Sequence, residues 1–235
     1  MSEVTNPIQA CNDIFLKPRG VFAALSHRDN WSWIPFVIVI LFSILPTYLY
    51  FGVVDYGWYQ DQTLATQMPD ASPKELENIK AMSTASTAQT MTLIFGGIGV
   101  LVVTAIVALY HTLVTKNDDK SIHSFLDWFG AQWWFALPMV FNALISCVLI
   151  MLAEPGAQLN QSVIAPVSLA YISGMEMSSA WFNFAQGVRL DTIWGVYLTT
   201  VCLSEWTNFS TRKSLIVALI PVLFMYTVGI LFIAL

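Results

Sequence analysis

Apolar residues in this chain are gathered into uninterrupted blocks rather than spaced at a helical or strand period. Each block is about 20 residues long, the length at which an α-helix crosses roughly 30 Å of hydrocarbon. A segment lying in lipid must satisfy its own backbone polar groups. Long blocks therefore predict helices, where a lipid-facing barrel would show short alternating strands. The expected fold is all-α and polytopic, with five transmembrane helices over 33–54, 91–114, 129–153, 190–206 and 215–235 in a single membrane domain of residues 1–235.

The segments between the blocks carry their own signals. Residues 7–27 place Ile8, Cys11, Ile14, Phe15, Val21, Phe22 and Leu25 at near-helical spacing, broken by Lys17-Pro18-Arg19-Gly20. Two short amphipathic helices fit this pattern, either in the headgroup layer or as a cytoplasmic cap packed on the bundle. Trp31 and Trp33 at one end of the first span, and Tyr48, Tyr50, Tyr56 and Trp58 near the other, suit two interfaces, and Pro46 should bend the helix between them. Ser72-Pro73-Lys74-Glu75 reads as a capping box. With no breaker before Gly96-Gly97, the helix it starts is expected to run through Ser83–Thr90 into the second span, projecting as a stalk. Pro138 should break the third span, whose one strongly polar interior residue is Asn142. Residues 163–175 and 178–188 are apolar but too short to cross, and are expected as interfacial or re-entrant helices.

Composition agrees: 56% of the residues are hydrophobic, only 11% are charged, and the mean hydropathy is +0.64, against about a quarter charged in a soluble domain. The leader, with Asn12, Asp13, Lys17, Pro18, Arg19 and Asp29, lacks the continuous apolar core of a cleaved signal peptide. Cys11, Cys147 and Cys202 have no framework spacing, so no structural disulfide is expected. Charge sets the orientation. Lys17, Arg19, Arg28, Lys116, Lys120, Arg212 and Lys213 fall on one side, and only Lys74, Lys80 and Arg189 on the other, among eight acidic residues. The positive-inside rule then puts the amino end in the cytoplasm and, with five crossings, the carboxyl end outside.

Candidate chemistry is sparse. His27, His111 and His123 stand alone in the sequence, with no metalloprotease motif, nucleophile elbow or P-loop. Gly96-Gly97-Ile98-Gly99 lies in an apolar span and reads as close helix packing. Asn117-Asp118-Asp119 has no partner carboxylates at 122 and 123 and reads as a solvated turn. No catalytic residue, cofactor or metal is expected. Arg189 and Asp191 border a span, where charges cap a helix, fix topology or line a polar path.

Arg189-Leu190-Asp191-Thr192-Ile193-Trp194-Gly195-Val196-Tyr197-Leu198, then Thr211-Arg212-Lys213-Ser214 and an apolar helix with Pro221, resemble the end of the Yip domain family, named for binding Ypt/Rab GTPases. Asn6-Pro7, Pro18 and Phe22 before the first span, and Ser121–Phe125 leading to Pro138, agree in order. The resemblance implies a five-helix membrane domain with a cytoplasmic amino end. The short segment before the first span looks like the compact bacterial branch, which implies the bacterial cytoplasmic membrane and no Rab binding. Trp194 joins Arg189, Asp191 and Asn142 as a candidate functional position.

The leading expectation is a non-enzymatic membrane protein that organises membrane lipids or membrane protein partners, or self-associates, with no nucleic acid among its partners. The alternative is a permease or a lipid or ion translocator, in which Pro46, Pro138 and Pro221 open polar gaps beside Arg189 and Asp191. An intramembrane enzyme is the third reading, and it requires a polar cavity with convergent catalytic groups.

Overall fold

The computed structural model describes residues 4–28 and 30–234, which form helices and connecting turns with no strand. Asp29, one of the polar residues of the leader, and Leu235, the expected end of the last span, lie outside the described residues. The leader holds α1 (Pro7–Asp13) and α2 (Pro18–Leu25), each opened by a proline whose missing N–H costs nothing in a first turn. Asn6 caps α1 by accepting from the Gln9 amide at 2.9 Å.

Next come α3 (Trp33–Val53) and α4 (Tyr56–Gln67), the latter capped by Asp55, whose carboxylate accepts from the Trp58 amide at 3.1 Å. The Ser72 capping box opens α5 (Pro73–Met82) as expected, and the hydrogen bonds from Ser72 hold the Glu75 carboxyl below the usual carboxylate range. The continuous stalk does not form. Ser83 is extended (φ −132°, ψ 132°) and Thr84 caps a new helix, α6 (Ala85–Met91). Two contacts explain the break: Ser83 Oγ lies 2.6 Å from the Tyr56 hydroxyl, and Gln60 Nε2 donates to the Ser83 carbonyl at 3.3 Å. They fold α5 back beside α4, where Lys80 pairs with Asp61.

A single π-helical turn (Thr92–Gly96) joins α6 to α7 (Gly97–Thr115), and α8 (Phe125–Ala136) is followed by α9 (Met139–Met151) across a 46° bend at Leu137-Pro138. Residues 155–190 are mostly turns. They contain a 3₁₀ turn (Gln161–Ile164), α10 (Leu169–Ile172) and α11 (Phe182–Gly187), so the helices expected over 163–175 and 178–188 shrink to fragments. Gly174, at φ +64°, ends one of them in a conformation that an L side chain rarely adopts. Finally come α12 (Asp191–Trp206) and α13 (Thr211–Ala234).

Three helices, Trp33–Val53, Ala85–Thr115 and Thr211–Ala234, are long and apolar enough to cross a bilayer, and the bent α8–α9 pair makes a fourth if it is one span. With 16 residues, α12 is about 24 Å long, short of a full crossing. Exposed Leu93, Phe95, Ile98, Val102, Phe224 and Leu231 give these helices surfaces suited to lipid tails. The chain is an integral membrane protein.

The spans' prolines leave backbone carbonyls without a donor, and other groups supply it. Pro221 cannot donate to the Val217 carbonyl, which accepts instead from the Tyr110 hydroxyl at 3.0 Å. Pro138 cannot serve Trp134, whose carbonyl accepts a long bond from the Leu137 amide, one residue nearer, at 3.4 Å.

The residues cluster into two compact units. Unit 1 comprises 1–41, 99–140 and 191–228, and unit 2 comprises 42–98, 141–190 and 229–235. In unit 1, α2 packs on α12 and α12 on α8 around Ile14, Val21, Phe22, Trp128, Trp134, Leu198 and Leu203, all fully buried. Phe22 meets Phe135 edge to face at 5.6 Å, and its carbonyl accepts from Trp206 Nε1 at 2.8 Å. The inner face of the leader is thus docked on the bundle as a cap. Unit 2 has two smaller cores, one around Tyr50, Phe51, Ile150 and Val163 and another around Ala170, Met177, Phe182 and Ala185.

Truncating the centre of the docked leader, Phe22→Ala, is expected to cost about 3 kcal/mol or more, read as a lowered thermal unfolding midpoint in detergent. A midpoint unchanged from wild type contradicts the docking.

Candidate functional site

Two polar clusters, one in each unit, are the candidates. In unit 1 the loops before α8 and after α12 are tied together. Asp118 accepts from the Asn208 amide at 3.0 Å and from the Lys120 amide at 3.1 Å, and Lys120 Nζ donates to the Glu205 carbonyl. The Asn117-Asp118-Asp119 turn is therefore a loop-to-loop strut rather than a freely solvated turn. His123 stacks on Trp206 with ring centroids 3.9 Å apart, and Trp206 meets Trp128 edge to face at 5.0 Å. Gln132 Nε2 lies 3.0 Å from Nδ1 of buried His111.

All seven cations that the charge count assigned to the cytoplasm, Lys17, Arg19, Arg28, Lys116, Lys120, Arg212 and Lys213, belong to this unit and are exposed. Lys213 Nζ sits 3.4 Å above the Phe209 ring, and Arg28 lies 6.0 Å from the Trp31 ring. On the leader, Ile8 and Leu16 are each 74% exposed. The His123–Trp206–Phe22 junction was not visible in the sequence, because Phe22 and Trp206 stand 184 positions apart.

In unit 2 the sequence candidates meet through backbone. Buried Asn142 on α9 accepts from the Val167 amide through Oδ1 at 3.1 Å, and the Val167 carbonyl accepts from the Leu190 amide at 3.1 Å. Leu169 N donates to the Val188 carbonyl at 2.8 Å, and Ser168 and Arg189 form an isolated antiparallel bridge. Asn142 and the backbone on either side of Arg189 thus grip the same short stretch, 167–169. Ser146 and Tyr50 act likewise, donating to the Val163 and Leu159 carbonyls at 2.7 and 2.8 Å. Asn142 is therefore a side chain that satisfies non-helical backbone at buried depth, a role legible only once 160–190 is seen to be turns.

The other two candidates fall in unit 1. Asp191 occupies the first turn of α12, where a carboxylate suits the positive end of the helix dipole. Trp194, 44% exposed, meets Phe15 of the leader edge to face at 5.9 Å. Nothing in these contacts places Trp194 beside Asn142.

Two outcomes test these assignments. Asn142→Ala strands the Val167 amide and is expected to cost about 1–3 kcal/mol, with faster hydrogen exchange at that amide. Burial holds His123 below its ordinary value despite Asp127 nearby. The folded state then binds this proton less readily than the unfolded one, so its contribution is complete above the unfolded value of about 6.5 and is lost as pH falls below it. His123→Phe, keeping the stack on Trp206, should flatten the acid side of a stability profile of unfolding midpoint against pH.

The profile of the Yip1 domain matches residues 12–233, which takes in both clusters and all the long helices. No curated protein and no solved structure matches the chain. With nearly its whole length matched, and with apolar helices suited to a bilayer, the chain belongs to the Yip1 domain family.

Proposed function

We propose that this Yip1-family protein works without catalysis, organising anionic lipids and membrane partners on the cytoplasmic side through the basic face of unit 1. What supports this reading is that the seven exposed cations belong to the same unit as the docked amphipathic leader, on which Ile8 and Leu16 stay exposed. Each Lys or Arg near an anionic leaflet contributes about 1 kcal/mol of attraction. A row of them beside apolar and aromatic groups suits the headgroup layer.

The reading takes α12 as a short fourth crossing and α8–α9 as one bent third crossing, giving five. The amino end then lies in the cytoplasm and the carboxyl end outside, in a bacterial cytoplasmic membrane. Transport draws less support. Asn142 is engaged by a backbone amide, and the carbonyl freed by Pro221 is held by Tyr110, so these polar groups serve the fold rather than a path.

Because Ile14, Val21 and Phe22 are core, single side chains test this better than deletion of the leader. Replacing Lys17, Arg19, Lys116 and Arg212 by Gln is expected to cut the anionic lipid co-purified in native nanodiscs several-fold. Ile8→Ser with Leu16→Ser should reduce crosslinks to partner proteins. Unchanged lipid and crosslink profiles in folded variants would overturn the proposal. Flux of fluorescent lipid or ions above that of empty liposomes, lost in Asp191→Asn, would replace it by the permease reading.

A further inference from the structure

Unit 2 contains an open cavity of about 450 Å³ between α3, α4 and the π-helical turn. Two features hold its walls. At one end, Gln89 Nε2 donates to the Tyr48 carbonyl at 3.1 Å across Gly52, where a Cβ would come within 2.9 Å of that nitrogen. At the other, the Ile44 side chain stands over Gly96 and Gly97, where an added Cβ would come only to 3.9 and 3.5 Å from it, ordinary van der Waals contact. Between these points the second wall includes the π-turn, Thr92–Gly96.

The lining is a hydrocarbon surface. Ile44, Thr47 and Phe51 face Ala88, Thr92 and Phe95, while Tyr56 and Tyr59, stacked at 5.7 Å, close the end nearest the head of α4. Its hydroxyls are largely engaged by protein: Thr92 Oγ1 donates to the Ala88 carbonyl at 2.9 Å, and the Tyr56 hydroxyl pairs with Ser83. The rim is apolar and uncovered, with Leu93 52%, Ile94 47% and Phe95 63% exposed on the span Ala85–Thr115. On a span this apolar, such a rim suits lipid tail. From Ser43 to Phe51 the cavity follows about 12 Å of helix, ending at tyrosines placed where α3 leaves the apolar block. Tyrosine at such a boundary suits the ester and headgroup level of a bilayer.

From this geometry we infer a binding site for one acyl chain of a membrane phospholipid. Its tail lies against Ile44 and Gly96, and its glycerol end reaches Tyr56 and Tyr59. The volume falls in the range of about 300–1,000 Å³ usual for small-molecule sites. The site needs only membrane embedding and is independent of the basic face of unit 1.

The test uses the full-length protein in nanodiscs containing phosphatidylcholine with a diazirine in one acyl chain, with photo-adducts mapped by mass spectrometry. Expected are adducts on residues 43–51 and 88–96 several-fold denser, per exposed residue, than on the lipid-facing stretch 101–106, and saturating as labelled lipid increases. Ala88→Trp and Thr47→Phe, which fill the cavity, should each remove that excess, and Val102→Trp should leave it intact. A wild-type profile that follows exposure alone, without saturation, overturns the inference even if neither filling variant folds. An excess that persists in folded Ala88→Trp and Thr47→Phe also overturns it.

Discussion

A peptide group in hydrocarbon has no water to turn to, and this one constraint organises the structure. At several places where the chain departs from regular helix, another group makes up the bond. The Tyr110 hydroxyl replaces the donor missing at Pro221, and the Leu137 amide donates to the Trp134 carbonyl ahead of Pro138. Asn142, Ser146 and Tyr50 serve the irregular backbone of 159–167 in the same way. These polar side chains inside apolar segments act as donors and acceptors for the backbone.

The same need shapes the leader. Its α2 ends against Trp206, whose indole donates to the Phe22 carbonyl, a second bond on an acceptor that the Ser26 amide also uses. That bond and the buried Phe22 ring fix the leader on α12 with its apolar inner face consumed. Ile8 and Leu16 of the leader remain exposed.

Some elements were legible in the sequence for direct physical reasons. The first span was predicted at 33–54 and found at Trp33–Val53, because an apolar block longer than a bilayer is thick leaves a helix few alternatives. The Ser72 capping box held because its partners are three residues apart. The stalk failed because Ser83 is claimed by Tyr56 and Gln60, more than 20 residues earlier. The expected helices of 163–188 failed because apolar content was read as helix where side chains from α3 and α9 satisfy turns instead. Of the candidate residues, Asn142 was found for its rarity in a span, yet its role as acceptor for Val167 was hidden. Trp194 and Asp191 lie in a different unit from Asn142 and Arg189.

By itself the sequence determined the medium, the all-helical class, the family and the asymmetry of charge, because each is carried by composition, block length or local order along the chain. Tertiary structure alone decided which turns replace helix, how the leader docks, and where a cavity opens between α3 and the π-turn. Those depend on bonds between residues tens to hundreds of positions apart, and a hydropathy pattern has no term for a carbonyl waiting on a distant hydroxyl or amide.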